Sequence, residues 1–504
     1  MRILYIDIDS LRPDHLGCYG YHRNTSPNID KLAQQGVRFD NVYVSDAPCL
    51  PSRTALWSGR FGFHTGVINH GGEAADPFNE GPTRSFQDIF AKTGWMSSLR
   101  HAGFKTATVS PFAERHGAWH WYAGYSEVYN TGKRGGEIAD EVTPIALDWL
   151  ERNAKTDNWF LHVNYWDPHT PYRTPEEFGN PFENDPLPGW MTEELLQKRW
   201  EGYGPHSPQE PHGYPSDPLA QSNYERHPRV PKQLDSLETL KQWIDGYDTG
   251  IRYADKHVGI ILNALEEAGI LDETVIMISA DHSESQGELN VWGDHQTADE
   301  GTSHVPLIVR WPGITDQSRV DEALHYQFDW AATLIELAGG QVPKVWDGEP
   351  FTEAFLAGQE QGRDYLVISQ GAWSCQRGVR FDWDDEKCLC IITYHDGHKE
   401  VDPVMLFNLT QDPYEQQNLC EERPDLVSRA KGMLGEWLNE MLLTSHHNAD
   451  PMMTVLREGG PFHTRGELPA YLEHLRATGR AHHAERLASL HSDEIQEQSV
   501  KSKN

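Results

Sequence analysis

Along the first two thirds of the chain, short apolar runs alternate with longer amphipathic stretches. Ile3–Ile8 is apolar with aspartates entering at its end, the pattern of a buried central strand. Val37–Val44, Lys105–Val109, Trp159–Tyr165, Val275–Ala280 and Val305–Arg310 read as further strands. Ser26-Pro27 opens a helix that Gly36 closes. Pro51–Ser58 reads as a short helix, another runs through Arg100 to Gly103, and Ile138–Ala154, about Leu234–Ala268 and Asp329–Ala338 complete the helical set. Strands alternating with helices predict an α/β fold: a large mixed, mostly parallel sheet with helices on both faces.

Two stretches depart from this pattern. Residues 175–233 are dense in Pro, Gly, Trp, Tyr and His without a clear period, and read as a long ordered loop over the main domain. Beyond about residue 360 the runs shorten (Tyr365–Ser369, Gln376–Phe381, Cys388–Tyr394), with one helix near Pro424–Met441, which predicts a smaller C-terminal α+β subdomain. The expected division is 1–360, 361–444 and an extension, 445–504, with a helical patch at Leu468–Leu487 and a frayed end, Ser492–Asn504.

Charge narrows the function. With 76 acidic and 43 basic residues, the formal net charge of −33 opposes nucleic acid and anionic membranes as partners. An anionic substrate therefore needs local positive charge, helix N-termini or a metal. The 6 cysteines are scattered without CxxC pairs, so neither a disulfide framework nor a structural zinc site is expected. Cys388 and Cys390 alternate within an apolar run, as same-face residues of a strand. No apolar stretch reaches bilayer length and no signal-peptide core opens the chain, so a cytoplasmic location is expected.

Three strands deliver chemistry to one edge. Asp9 follows the first, Asp167-Pro168-His169 follows Trp159–Tyr165, and Asp281-His282 follows Val275–Ala280. Carboxyl ends of parallel strands are where open α/β sheets build their sites. One such Asp is as often a helix cap; three together point to a metal-assisted centre. Cys49-Leu50-Pro51-Ser52-Arg53 places a cysteine at a helix start with an arginine one turn on, which predicts a depressed thiol pKa.

Cys-x-Pro-Ser-Arg resembles the signature of the formylglycine-dependent sulfatases, of the alkaline-phosphatase-like superfamily. Ile6–Gly20, Thr25–Phe39, Asp167–Tyr172, Tyr253–Leu271, Ser279–Glu284, Val305–Gly313 and Leu406–Leu419 are similar to sulfatase segments in the same order, so the resemblance covers roughly residues 1–440. It implies that Cys49 is oxidised by a formylglycine-generating enzyme and that its hydrated aldehyde attacks the ester sulfur. It also makes Asp9, Asp281 and His282 ligands of a divalent metal. Hard oxygen donors favour Ca²⁺, and the imidazole leaves Mn²⁺ or Mg²⁺ open. Arg53 would steady the nucleophile and the metal carboxylates, and His169 would exchange a proton near the leaving oxygen.

The chain also departs from the family. Asp9-Ser10 stands where two acidic ligands are usual; Asp7 faces the same way, as a substitute ligand or as a buried ion-paired carboxylate. Ser110–His116 replaces a lysine-bearing segment, leaving Arg115 or His116 to bind sulfate. His295 replaces a second lysine. His64, Asn69 and His70 are candidate pocket residues after the Cys49 helix. Aromatic density at Trp119–Tyr122 and in 175–233 suits sugar rings. The expected substrate is thus a small sulfated carbohydrate, such as a glycosaminoglycan or marine-polysaccharide fragment, acted on by a monomer or homo-oligomer. The rival readings are a phosphonate or phosphate ester hydrolase on the same scaffold and an inactive sulfated-glycan-binding relative.

Overall fold

The computed structural model describes residues 1–84, 86–315, 318–447 and 449–495, with backbone alone for 86–89. Its strands are β1 (Arg2–Ile8), β2 (Val37–Tyr43), β3 (Asp46–Ala47), β4 (Lys105–Val109), β5 (Glu127–Tyr129), β6 (Trp159–Tyr165), β7 (Thr274–Ser279), β8 (Ser285–Gln286) and β9 (Trp292–Asp294). These are followed by β10 (His304–Arg310), β11 (Arg319–Asp321), β12 (His325–Tyr326), β13 (Tyr365–Gln370), β14 (Cys375–Trp383), β15 (Glu386–His395) and β16 (Val404–Asn408).

The large sheet runs β11-β2-β10-β7-β1-β6-β4-β5, with β12 beside β2. β1 lies between β6 and β7, parallel to both and buried from Ile3 onward. Burial on both faces is why these strands read as unbroken apolar runs. On β6, His162 meets Trp57 and Trp121, whereas Tyr165 meets Thr143 and His257. Their odd spacing places the two side chains on opposite faces, so helices cover both sides of the sheet. β10 is the reversal: it pairs antiparallel with both β2 and β7. The expected mixed, mostly parallel sheet is thus found; an apolar run carries no sign of strand direction, which is why the sequence could not say which strand is reversed.

The smaller sheet, β16-β15-β14-β13-β3, is antiparallel except at its edge, where β3 joins β13 in parallel. Cys388 and Cys390 are buried together in β15, opposite Phe381 and Val379. The helix Pro424–Thr444 packs on β13 and β14.

The 175–233 segment contains more helix than its sequence suggests, including Glu193–Glu201, Pro218–Gln221 and Asn223–Arg226. Glu193–Glu201 buries only Leu196, so it has no apolar stripe to read, although Thr192 caps it by accepting from the Leu195 N–H. The extension forms the helices Pro451–Arg457, Leu468–Ala477 and Ala481–Leu490. Leu468, Tyr471, Leu472, Leu475, Ala484 and Leu487 make a separate core with Tyr203 and Tyr214 of the 175–233 segment. The expected frayed end begins with a helical turn at Ser492–Ile495, and 496–504 lie outside the described residues. Among the described residues, no helix is long and apolar enough to cross a membrane.

Candidate active site

The carboxyl ends of β1, β7, β6 and β4 converge, as parallel topology requires. They carry Asp9, Asp281-His282, His169 and the short helix Phe112–His116 with Arg115 and His116. The helix Cys49–Ser58, wholly buried, enters this edge from β3. Gly250, inside the long helix Leu237–Glu267, lets Pro168 press against it: a Cβ there would lie 2.7 Å from Pro168 Cβ. That contact seats the loop bearing His169.

Arg53 organises the carboxylates. Its Nη2 donates to Asp9 Oδ2 and its Nε to Asp281 Oδ2, each at 3.1 Å, while Nη1 donates to Asp7. All four side chains are essentially inaccessible to water. Asp7 also accepts from His162 Nε2 at 3.1 Å, yet its Oδ1 has no partner. Asp7 is therefore ion-paired and still offers one unused oxygen to the site. Burial raises the Asp9 pKa, but His169, His282 and Arg53 outweigh it and hold Asp9 well below the usual carboxylate range. Burial drives Asp281 the other way, to about 7; Arg53 opposes the shift and the neighbouring Asp9 charge adds to it. Like charges this close push their protonation apart, and a bound cation would let both ionise.

Cys49 Sγ lies 3.1 Å from His282 Nε2. His282 Nδ1 donates to the Ser283 carbonyl at 2.8 Å, which fixes the tautomer and leaves Nε2 as an acceptor or metal donor. The expected depression of the thiol pKa does not occur: burial, Asp9 and Asp281 push it well above its usual value. A helix start favours thiolate, but those carboxylates arrive from other strands and dominate.

Around this centre stands a collar of histidines. The His295 ring is centred 4.1 Å from His282 and 5.5 Å from His169. His116 lies 4.8 Å from His70, ring to ring. Burial lowers the pKa of all four outer rings, to about 4 for His169, so they are neutral near pH 7. Positive charge comes instead from Arg115, stacked over Trp166 at 4.8 Å, which acts on Asp9 and Cys49.

His64 is not brought to this site. Its Nδ1 bonds Asp347 and its Nε2 bonds Thr444, and it lines a separate cavity of about 640 Å³ beneath the helix Pro424–Thr444. Proximity in sequence to Cys49 misleads here, because the chain turns away at the left-handed Gly59 that ends the Cys49 helix. Conversely, no sequence signal pointed to His463. It comes from the extension, sits 2.9 Å (Nε2) from His70 Nδ1 and stacks on Trp373 at 4.4 Å. Arg173 was also missed; burial and Arg115 lower its pKa to about 10. It stands just after Asp167–Tyr172, so its motif was visible though its role was not. A cavity of about 370 Å³ opens beside His169, with His206, Tyr214, Asp294, Trp373 and His463 among its walls.

Asp9, Asp281, His282 and Cys49 offer donor atoms all within 4.8 Å of one another. Two buried carboxylates and an imidazole with its tautomer fixed suit a divalent ion. This constellation on a mostly parallel sheet defines an alkaline-phosphatase-like hydrolase. Residues 2–340 match the sulfatase family model, and 287–436 match that of the N-sulphoglucosamine sulphohydrolase C-terminal region. The chain belongs to the sulfatase family, and is a sulfuric ester hydrolase whose relatives typically use a metal and formylglycine. It is 24% identical over 401 residues to an N-acetylglucosamine-6-O-sulfatase of Bacteroides thetaiotaomicron, covering 69% of each chain. It is 28% identical over 360 residues to human iduronate 2-sulfatase, covering 62% of this chain and 60% of the relative. A solved complex of a protein with its substrate D-glucosamine-2-N,6-O-disulfate superposes with TM-score 0.68 at 19% identity, covering 90% of this chain and 99% of the other. The phosphonate monoester hydrolase of Silicibacter pomeroyi gives 0.64 at 19% identity, covering 90% and 97%.

Proposed function

We propose that this enzyme removes sulfate from a short sulfated sugar, with Cys49 matured to formylglycine and Asp9, Asp281 and His282 holding a divalent ion, Ca²⁺ in preference to Mn²⁺ or Mg²⁺. The observation that carries the reading is the placement of Cys49 beside that donor set; His169, which acts on Asp9, also lines a cavity of about 370 Å³ walled in part by the 175–233 segment and the extension. A volume of that size fits a mono- or disaccharide rather than a polymer. Relatives named for N-acetylglucosamine and iduronate sulfates support the substrate class.

Here Sγ of Cys49 stands where the hydroxyls of the hydrated aldehyde belong. Held by Asp9, Asp281 and His282, a divalent ion would polarise the sulfuryl oxygens and lower the pKa of a hydroxyl beside it. Arg53 keeps the three carboxylates in place through charge-assisted bonds. Arg115 supplies the positive charge for the sulfate. His169 donates from Nδ1 to the Thr170 carbonyl at 2.5 Å, so its proton exchange with nucleophile or leaving oxygen takes place at Nε2. Trp373, stacked on His463, forms part of the cavity wall against which a sugar would lie.

The test is a kcat/KM panel of sulfated mono- and disaccharides beside an aryl sulfate, a phosphate diester and a phosphonate ester, on protein whose Cys49 peptide carries the aldehyde by mass spectrometry. Preference for one sulfated sugar supports the reading. Preference for the phosphonate moves the activity to that rival, and binding without turnover on converted protein marks an inactive glycan binder.

A further inference from the structure

A second cluster of metal-binding side chains lies away from the catalytic centre. His395 ends β15, His398 follows in the turn, and His491 and Glu494 come from the last described helical turns; their donor atoms all lie within 4.8 Å of one another. His395 Nε2 is 3.0 Å from Glu494 Oε1, His398 Nε2 is 3.3 Å from Oε2, and His491 Nδ1 is 2.5 Å from Oε1. The three imidazole rings are centred 4.9 to 5.7 Å apart.

The outer contacts aim these donors inward. His491 Nε2 donates to Asp396 Oδ1 at 2.8 Å, and His398 Nδ1 bonds the Tyr214 hydroxyl at 2.8 Å. A carboxylate or hydroxyl on the far nitrogen is what fixes a metal-binding histidine. His398 is fully buried and held at a left-handed φ of 60°, a region that non-glycine residues seldom occupy. Its backbone N–H donates to Asp396 Oδ1 at 2.8 Å, so Asp396 supports both the turn and His491. One contact opposes the arrangement: His395 Nδ1 accepts from the Gly397 N–H at 3.0 Å, which puts its proton on Nε2.

We propose that His395, His398, His491 and Glu494 bind a zinc ion. Three imidazoles and one carboxylate are the donor set of a tetrahedral Zn²⁺, whereas the oxygen-rich catalytic centre suits a harder ion. Closure requires only that the donors draw in to about 3.3 Å from one another, the edge of a tetrahedron with Zn–N near 2.0–2.1 Å. The protons on His395 Nε2 and His491 Nδ1 leave to solvent as the metal enters, and His395 exchanges its Gly397 contact for the metal. With Asp396 and Glu494 ionised, a divalent ion balances the two charges. The scattered cysteines, which gave no sign of structural zinc, are simply not its ligands. The ion would tie the extension to the β15–β16 turn and, through Tyr214, to the 175–233 segment, two of the pieces that wall the cavity at Trp373 and His463.

The test uses the full chain, stripped of metal and then held in excess Ca²⁺ so that the catalytic centre does not report. Zinc titrated against a chromophoric competitor should bind at one equivalent, raise the melting temperature, and be replaceable by Co²⁺ with the intense visible bands of a four-coordinate site. Glu494→Gln, which keeps shape and hydrogen bonding, should weaken zinc at least tenfold, and His491→Ala should abolish the equivalent. Failure of the wild-type chain to retain zinc overturns the proposal without any variant. So does equal zinc binding by wild type, Glu494→Gln and His491→Ala. The readout is metal content, so it stands or falls apart from sulfatase turnover.

Discussion

Cys49 Sγ and His282 Nε2 meet at 3.1 Å across 233 residues of chain. Since His282 Nδ1 is committed to the Ser283 carbonyl, Nε2 receives the thiol hydrogen in the unmodified enzyme and is the nitrogen left for a metal. Under the proposed function, nucleophile and metal ligand would thus be neighbours before maturation; Arg53 binds the carboxylates Asp9 and Asp281 beside them.

Removing Arg53 leaves Asp7, Asp9 and Asp281 buried without their common cation. Arg53→Ala should cost about 3–5 kcal/mol of stability, the range for breaking a buried ion pair. Thermal unfolding with and without added Ca²⁺ checks this: the divalent ion should recover more of the variant's loss than it adds to wild type.

Gly250→Ala puts a Cβ 2.7 Å from Pro168 and displaces the loop that carries His169. A loss of about 1–3 kcal/mol is expected for such overpacking, together with a fall in kcat. Gly432→Ala, in the helix Pro424–Thr444 with nothing within 4 Å, should stabilise by about 0.5–1 kcal/mol and leave kcat alone. Denaturant melts of the pair, read beside turnover, separate the effects.

His463 touches the site from the far end of the chain. Replacing it with alanine removes its bond to His70 and its stacking on Trp373. About tenfold lower kcat/KM is expected on the sulfated sugar, the scale of one hydrogen bond. An aryl sulfate that does not reach Trp373 should be hydrolysed as before.

The zinc-free protein should lose stability as pH rises from about 6.5 to 9. Burial disfavours a charged His491, but Asp396 and Glu494, on its two nitrogens, outweigh burial and push its pKa up to about 9. His395 and His398 face the same carboxylate. A histidine whose pKa is raised by folding stabilises fully below its unfolded value, near 6.5, and ceases to do so above its folded one. Melting temperatures across that window, in chelator, check the slope, and Asp396→Asn should flatten it.

The strands and their terminal aspartates were legible because burial on both faces writes an unbroken apolar run that ends at the first charged residue. Asp9, Asp281 and His282 stand just past such strands, whereas Cys49 and Arg53 were legible from the Cys-x-Pro-Ser-Arg motif. The direction of β10, the thiol pKa of Cys49 and the arrival of His463 were not legible, because each depends on partners brought from other elements of the fold. His64 shows the opposite error, where nearness in sequence stood in for nearness in space.

β3 consists of only Asp46 and Ala47, yet it is the edge strand of the small sheet, paired with Ser369 and Gln370 immediately before Pro48-Cys49. Gln370 also donates through its side chain to the His295 carbonyl at 2.8 Å. Cys49 and one histidine of the collar around it are therefore sewn to the same strand end. The second sheet is not an interchangeable attachment: a chimera that borrowed it from a relative would set the position of the reacting atom along with it, and inheritance of the two halves must be joint.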